Sequence, residues 1–461
     1  MTETYATDWL ATRTFFYNTR TGTVATHIHE VIDYRNLEFD PDGLNDYLDL
    51  GYSVFGQTPV RDVKFLLPCS ELVRDARGRW EVRRTDDPIT EWIGRDTTEE
   101  EVLEWLGTSV RSWEATGPGE VILPLSGGLD TRLLALMLSE PSRVQAFTYG
   151  ISDDQGASFE TVRARFVARR LGMSWERIEL GRFHEYLDHW DDVYGVATHA
   201  HGMYLMEFFD QIRSRLGPGR RLLSGIVGDA WAGSIAPIPV SGPDDLWRLG
   251  YTHGLRGASS QSRLRGKGQV RERFWHEHRD ALIATAPLQT VWVIRLKMIV
   301  LSCLLRLPKH YGFTPWSPFL IPKIALGMLT LPRERRRKRI WQKEFFRRQG
   351  LDLEREHLKC DVSNTLNAQG LRRVPPPPLD ASLLAEVVRP EYVNWINRTM
   401  FRRGATRDRL MRIGYHAFCS AASLLRQRPL WLPPPQEWQA AYAAYLTLRP
   451  IERLLERRNA S

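Results

Sequence analysis

The chain has 461 residues, 43% of them apolar and 26% charged, with a formal net charge of +8. That balance suits a folded globular protein of about two to three domains and excludes a disordered, collagen-like or disulfide-stapled chain. The positive charge is modest for this length and does not by itself ask for a nucleic-acid partner.

Cys69, Cys303, Cys360 and Cys419 are far apart and include no C-x-x-C pair, so they are expected to be reduced packing residues rather than zinc ligands or disulfide partners. Met1-Thr2-Glu3-Thr4-Tyr5 lacks the basic region and apolar core of a signal peptide. The apolar run Val291–Leu307 is broken by Arg295, Lys297 and Arg306, which argues against a membrane span. A cytoplasmic protein with no membrane partner is the expectation.

Residues 1–115 read as mostly β. Thr14–Asn18 and Gly22–Ile28 are short strands around a turn, and Lys64–Ser70 and Arg79–Arg83 look like a second pair joined by Asp75–Gly78. Asp40-Pro41-Asp42-Gly43 starts a helix over Leu44–Leu50. Thr97–Glu100 has the form of a capping box for a helix to about Glu114.

Residues 116–370 read as a second domain that opens on alternating strands and helices. Val121–Leu125 is a short apolar run of the buried parallel type, followed by Ser126-Gly127-Gly128-Leu129-Asp130-Thr131 and then a leucine-rich helix. Strand, glycine turn and helix start together make an anion cradle, because free N–H groups and the helix dipole point at the turn. Val144–Tyr149, Trp175–Leu180 and Arg221–Ser224 are further strands. Ser158–Leu171, Phe183–Val193 and Met203–Leu216 are helices. The alternation predicts an α/β fold with a doubly wound parallel sheet, a small β-rich N-terminal domain and a helical C-terminal part. Residues 241–350 read as helical. Pro375–Pro378 is a stiff linker, and residues 380–461 a helical tail with a second break at Pro433–Pro435 and no catalytic pattern.

The segment Ser126–Thr131 resembles the pyrophosphate loop of the N-type ATP pyrophosphatases, Ser-Gly-Gly-x-Asp-Ser/Thr. Around it the chain is similar to the synthetase domain of asparagine synthetases. Phe147-Thr148-Tyr149-Gly150 stands at the family's adenine-contacting strand end. Arg163–Gly172 stands at its Ala/Arg-rich helix, and Leu223-Ser224-Gly225-Ile226-Val227-Gly228-Asp229 at its second phosphate motif. Ser317-Pro318-Phe319-Leu320-Ile321 and Leu329-Thr330-Leu331-Pro332 also match. Tyr47-Leu48, Gly51–Thr58 and Leu67-Pro68-Cys69 resemble the end of the preceding glutaminase domain. Residues 1–115 are too few for a whole one, and Thr2 stands where its cysteine would be, so a truncated remnant without glutaminase activity is expected.

The resemblance implies ATP and magnesium as cofactors. Leu125, Ser126, Gly127, Gly128, Asp130, Thr131, Thr148, Tyr149, Ser224 and Gly225 would bind the nucleotide, and Asp130 and Asp229 would hold the metal from opposite sides of one strand-end crevice. It also implies a phosphate-contacting cation on the helix over Arg335–Arg348, with Lys338, Arg339 and Lys343 as candidates. The reaction implied is activation of a small-molecule or peptide carboxylate as an acyl-adenylate, followed by attack of an amine donor or of ammonia from a separate source. A homo-oligomer is compatible with the sequence.

The chain departs from the family where the amine is handled. The acidic residue after Ser-Gly is Ile226, the one after the motif aspartate is Ala230, and the aspartate of Pro-Phe-Leu-Asp is Ile321. Asp191, Asp192, His199 and His201 are candidate substitute bases. Two alternatives stand beside the ligase: a pyrophosphate-loop enzyme that modifies a tRNA base, and a catalytically degenerate relative that only binds ATP.

Overall fold

The computed structural model describes residues 4–75, 78–92, 94–117, 119–250, 253–401 and 437–461. Thr2, Cys419 and the break at Pro433–Pro435 lie outside the described residues, as does the middle of the turn Asp75–Gly78.

Among the described residues upstream of the helix Glu99–Ala115 lie six short strands: β1 (Tyr5–Ala6), β2 (Phe16–Asn18), β3 (Val24–Ala25), β4 (Val63–Phe65), β5 (Ser70–Arg74) and β6 (Trp80–Arg84). They form two antiparallel three-stranded sheets, ordered β1-β5-β6 and β3-β2-β4. The run expected as one strand over Lys64–Ser70 is therefore two strands in two sheets. Pro68 lacks a ladder donor and Cys69 adopts a left-handed φ of 50°, so the strand cannot continue through them. Helix Glu99–Ala115 starts one residue later than the motif suggests, on a complete capping box between Thr98 and Glu101.

Five parallel strands follow: β7 (Val121–Pro124), β8 (Val144–Thr148), β9 (Ser174–Arg177), β10 (Arg221–Leu223) and β11 (Thr314–Trp316), in the order β11-β10-β7-β8-β9. Alternation along these strands divides the interior. Ile122, Phe147 and Leu222 enter one core, while Val121, Leu123, Val144, Ala146 and Leu223 enter another. Helix Met203–Leu216 contributes to the first core; helices Glu99–Ala115, Leu129–Met137 and Phe159–Leu171 contribute to the second. Both faces of the sheet are thus covered, as a doubly wound α/β fold requires.

Strand β11 corrects the reading of residues 241–350 as helical. It is three residues long, carries Pro315 and lies at the sheet edge, the one place where a strand tolerates a missing N–H. The connection from β9 crosses back over β7 to reach β10, so the chain changes winding direction between β7 and β10. A crevice opens at the carboxyl ends of two strands that part in this way.

The N-terminal segment has no core of its own in the main. Phe16, Val31, Leu44, Tyr47 and Val63 belong to the same buried cluster as Phe147 and Leu222. The C-terminal helix Glu437–Ala460 joins that cluster through Tyr442, Tyr445 and Leu454. Ala286–His310 is apolar and long enough to cross a membrane by length and composition, and 72% of its most apolar window is buried inside the protein. Arg295 in it is satisfied by Asp87 at 2.7 and 2.8 Å and by the Trp9 carbonyl at 2.9 Å.

Candidate functional site

The loops after β7 and β10 are built alike. In each, a serine hydroxyl accepts from the backbone N–H two residues on: Gly128 to Ser126 Oγ and Ile226 to Ser224 Oγ, both at 3.3 Å. The first loop runs into helix Leu129–Met137, which has no side-chain cap, so its leading N–H groups remain available to an anion. The second loop carries Val227 at φ 55°, a conformation a β-branched residue adopts only when its surroundings impose it.

The two loops touch. A Cβ added to Gly225 would stand 3.3 Å from Thr131 Cγ2 and 3.9 Å from Asp130 Cβ. Together they wall one end of a cavity of about 820 Å³. Leu125, Ser126, Gly128, Asp130, Thr131, Thr148, Tyr149, Ser224 and Gly225 all line it. Gly127 does not. Its φ of 67° turns its Cα toward helix Phe159–Leu171, where a Cβ would lie 2.5 Å from Arg163 Cβ. Gly127 therefore shapes the turn from behind. The Thr148 hydroxyl donates to the Leu125 carbonyl and accepts from Trp175 Nε1 at 3.1 Å, which ties the ends of β7, β8 and β9 together.

Asp130 is ion-paired with Arg339. Burial, opposed by Arg339 and reinforced by Asp229, pushes its carboxyl up to about 6. Asp229 is exposed and outside the cavity lining, with its Oδ2 accepting from Ser234 Oγ at 3.0 Å, yet its charge bears on Asp130. Among the described residues no group of three His, Cys, Asp or Glu side chains is arranged to hold a metal ion.

Lys338, Arg339 and Lys343 line a second cavity, of about 630 Å³, together with Arg333, Arg336 and Arg337. The kink between helices Arg333–Arg336 and Ile340–Arg348 sets Lys338 at φ 53° and Arg339 at φ 57°. That kink brings the Arg339 guanidinium back onto Asp130, so the Asp130–Arg339 pair links the walls of the two cavities.

Of the candidate substitute bases, His199 and His201 line the main cavity, whereas Asp191 and Asp192 are bound by Arg457 of the C-terminal helix. Ile226 is 1% exposed and lines the main cavity with an apolar side chain, whereas Ala230, at 2%, is buried away from it. His253 and Glu160 also line the cavity, as do Trp438 and Tyr442 from the tail, where no site residue was expected. The stripe Trp438, Tyr442, Leu446 is a helical i, i+4, i+8 pattern visible in the sequence. His253 has no such signal. Cys69, in the glutaminase-like segment, is buried, and burial pushes its thiol up to about 11, which leaves no thiolate for nucleophilic work.

No family model and no curated protein matches this chain. Among solved structures it is similar to an NH3-dependent NAD synthetase from Campylobacter jejuni, at 12% identity and TM-score 0.25, over 44% of this chain and 95% of that one. It is also similar to a glutamine-dependent NAD+ synthetase from Acinetobacter baumannii in complex with ADP, at 16% identity and TM-score 0.23, over 53% of this chain and 41% of that one.

Proposed function

We propose that the protein is an ATP-dependent, AMP- and pyrophosphate-forming amide ligase of the asparagine synthase type, without its own glutaminase. It activates a small-molecule or peptide carboxylate as an acyl-adenylate for attack by an amine or by ammonia from a separate source. The observation that carries this reading is the contact of Gly225 with Asp130 and Thr131, which sets two Ser-Gly loops and an uncapped helix start against one cavity.

In this reading the N–H groups at the start of helix Leu129–Met137 and the Ser126 and Ser224 hydroxyls bind phosphate oxygens. Asp130 and Asp229 would hold magnesium together with those oxygens. The fit is supported by their mutual repulsion, which raises Asp130 and which a shared cation would relieve. Bound magnesium supplies charge neutralisation on the pyrophosphate leaving group. Arg339, released from Asp130, turns to the phosphates, and Lys338 and Lys343 add positive charge beyond it. The chemistry is mostly positioning, so the residues needed are donors and cations rather than a nucleophile.

The test is pyrophosphate release from ATP across a panel of amino acids and short peptides, with wild type compared to Asp130→Ala. Acid-dependent release that falls at least about a hundredfold in the variant is the expected result. Equal release by the two proteins would end the ligase reading. The buried Ile226 and Ala230 favour one second reading, an ATP-binding protein without turnover. Tight ATP binding with no release on any acid would support it.

A further inference from the structure

The cavity that the two loops help to line is lined also by three imidazoles. His199 and His201 come from the segment between the turn Gly195–Ala197 and helix Met203–Leu216, and His253 from a loop far along the chain. His199 and His201 stack with centroids 4.2 Å apart and planes at 12°, and His201 and His253 stack at 4.5 Å and 23°. Stacked rings cannot converge their nitrogens on one ion, in keeping with the absence of a metal-holding group among the described residues. The stack is held in place. The His199 backbone N–H donates to the Gly51 carbonyl at 2.7 Å, and His201 Nδ1 lies 3.3 Å from the His199 carbonyl.

Burial lowers all three, with repulsion from the neighbouring rings added at His199 and His201 and from Lys297 at His253; His201 falls to about 3 and His253 to about 4. They are therefore neutral at physiological pH and can accept a hydrogen bond without carrying charge. Lys297, half-buried on helix Ala286–Leu301, is close enough for its charge to act on His253 and to be acted on by Asp229. An incoming phosphate or adenylate brings negative charge into the same cavity, which raises the affinity of an imidazole for a proton. The position at which the resemblance implies an acidic group is Ile226, which can take no proton.

We infer that the His199–His201–His253 stack is the amine subsite of this enzyme, receiving the nucleophile as its free base and orienting it through hydrogen bonds to imidazole nitrogens. This rests on the ligase reading above. The amine lone pair forms the C–N bond at the acyl carbon, and the acyl C–O bond breaks with its electron pair leaving on the AMP phosphate. The proton on nitrogen passes to solvent. A site that hosts an uncharged amine beside Lys297 also disfavours an ammonium cation.

The two half-reactions separate this assignment from the reading beneath it. Acid-dependent ATP–pyrophosphate exchange reports adenylate formation, and AMP release with ammonia, methylamine or hydroxylamine reports aminolysis. His201→Asn and His253→Asn in the full chain are expected to keep exchange within about threefold of wild type. They are expected to lose about a hundredfold in ammonia- and methylamine-dependent AMP release, the scale of losing a positioned nucleophile. Hydroxylamine, weakly basic and already unprotonated at neutral pH, restores most of the rate. Retention of the ammonia rate in both variants overturns the assignment, as does a parallel fall of both half-reactions. The same split produced by Glu160→Gln, with the histidine variants unaffected, also overturns it. Wild-type protein with no acid-dependent exchange overturns the ligase reading and this assignment with it.

Discussion

Gly127 and Gly172 share a left-handed backbone and differ in what surrounds them, so alanine at each position isolates the role of the first glycine loop. Gly127 has φ 67° and Gly172 φ 73°. Gly172 closes helix Phe159–Leu171 with no atom within 4 Å of an added Cβ. Gly172→Ala should therefore cost only the left-handed penalty of about 1 kcal/mol. At Gly127 the new methyl would stand 2.5 Å from Arg163 Cβ and 2.8 Å from the Ala164 nitrogen, against a helix backbone that cannot rotate away. Overpacking of that kind adds about 1–3 kcal/mol, for a total of about 2–4 kcal/mol. Urea unfolding followed by tryptophan fluorescence and far-UV circular dichroism measures both variants. Gly127→Ala should lower the midpoint clearly more than Gly172→Ala and should weaken ATP binding, because the loop must lift off its helix. Equal midpoint shifts would refute the view that the loop is seated tightly on helix Phe159–Leu171.

Other outcomes follow from the same geometry. Gly225→Val should reduce ATP affinity about tenfold or more with a smaller loss of stability, since its branches would wedge the two loops apart at Thr131; isothermal titration calorimetry checks this. Arg132 is fully buried and donates to the Leu351 and Gly127 carbonyls, both at 3.0 Å, so Arg132→Met should cost about 2–4 kcal/mol in urea by stranding them. His253 takes a proton near 6.5 when unfolded and only near 4 when folded. Above pH 6.5 both states are neutral. As pH falls toward 4 only the unfolded chain gains the proton, so stability drops by up to about 3 kcal/mol. His253→Asn should flatten that limb of a stability–pH profile, and an unchanged limb would show that the ring is solvated.

Local signals carry the scaffold. The apolar run Val121–Leu125, the glycine turn and the leucine-rich helix state a strand–loop–helix unit through neighbours in the chain, and so do the capping box at Thr98–Glu101 and the Gly172 cap. Strand β11 escaped because three residues with a central proline hold no periodicity, and only pairing with β10 makes them a strand. The break at Pro68-Cys69 escaped because an apolar run looks continuous until a backbone angle interrupts it.

The sequence by itself determined most of the segments that wind into strands and helices, though not β11 or the break at Pro68-Cys69, and which turns can face a phosphate, because those properties depend on residues a few positions apart. Tertiary structure alone decided that Gly127 looks away from the cavity and that Arg339, rather than Lys338 or Lys343, reaches Asp130. It alone stacked His253 on His201 and His199 and set the tail helix against the same cavity. Each of these depends on side chains brought together across long stretches of chain by burial of the common core, and burial is non-directional, so no local spacing records which partners will meet.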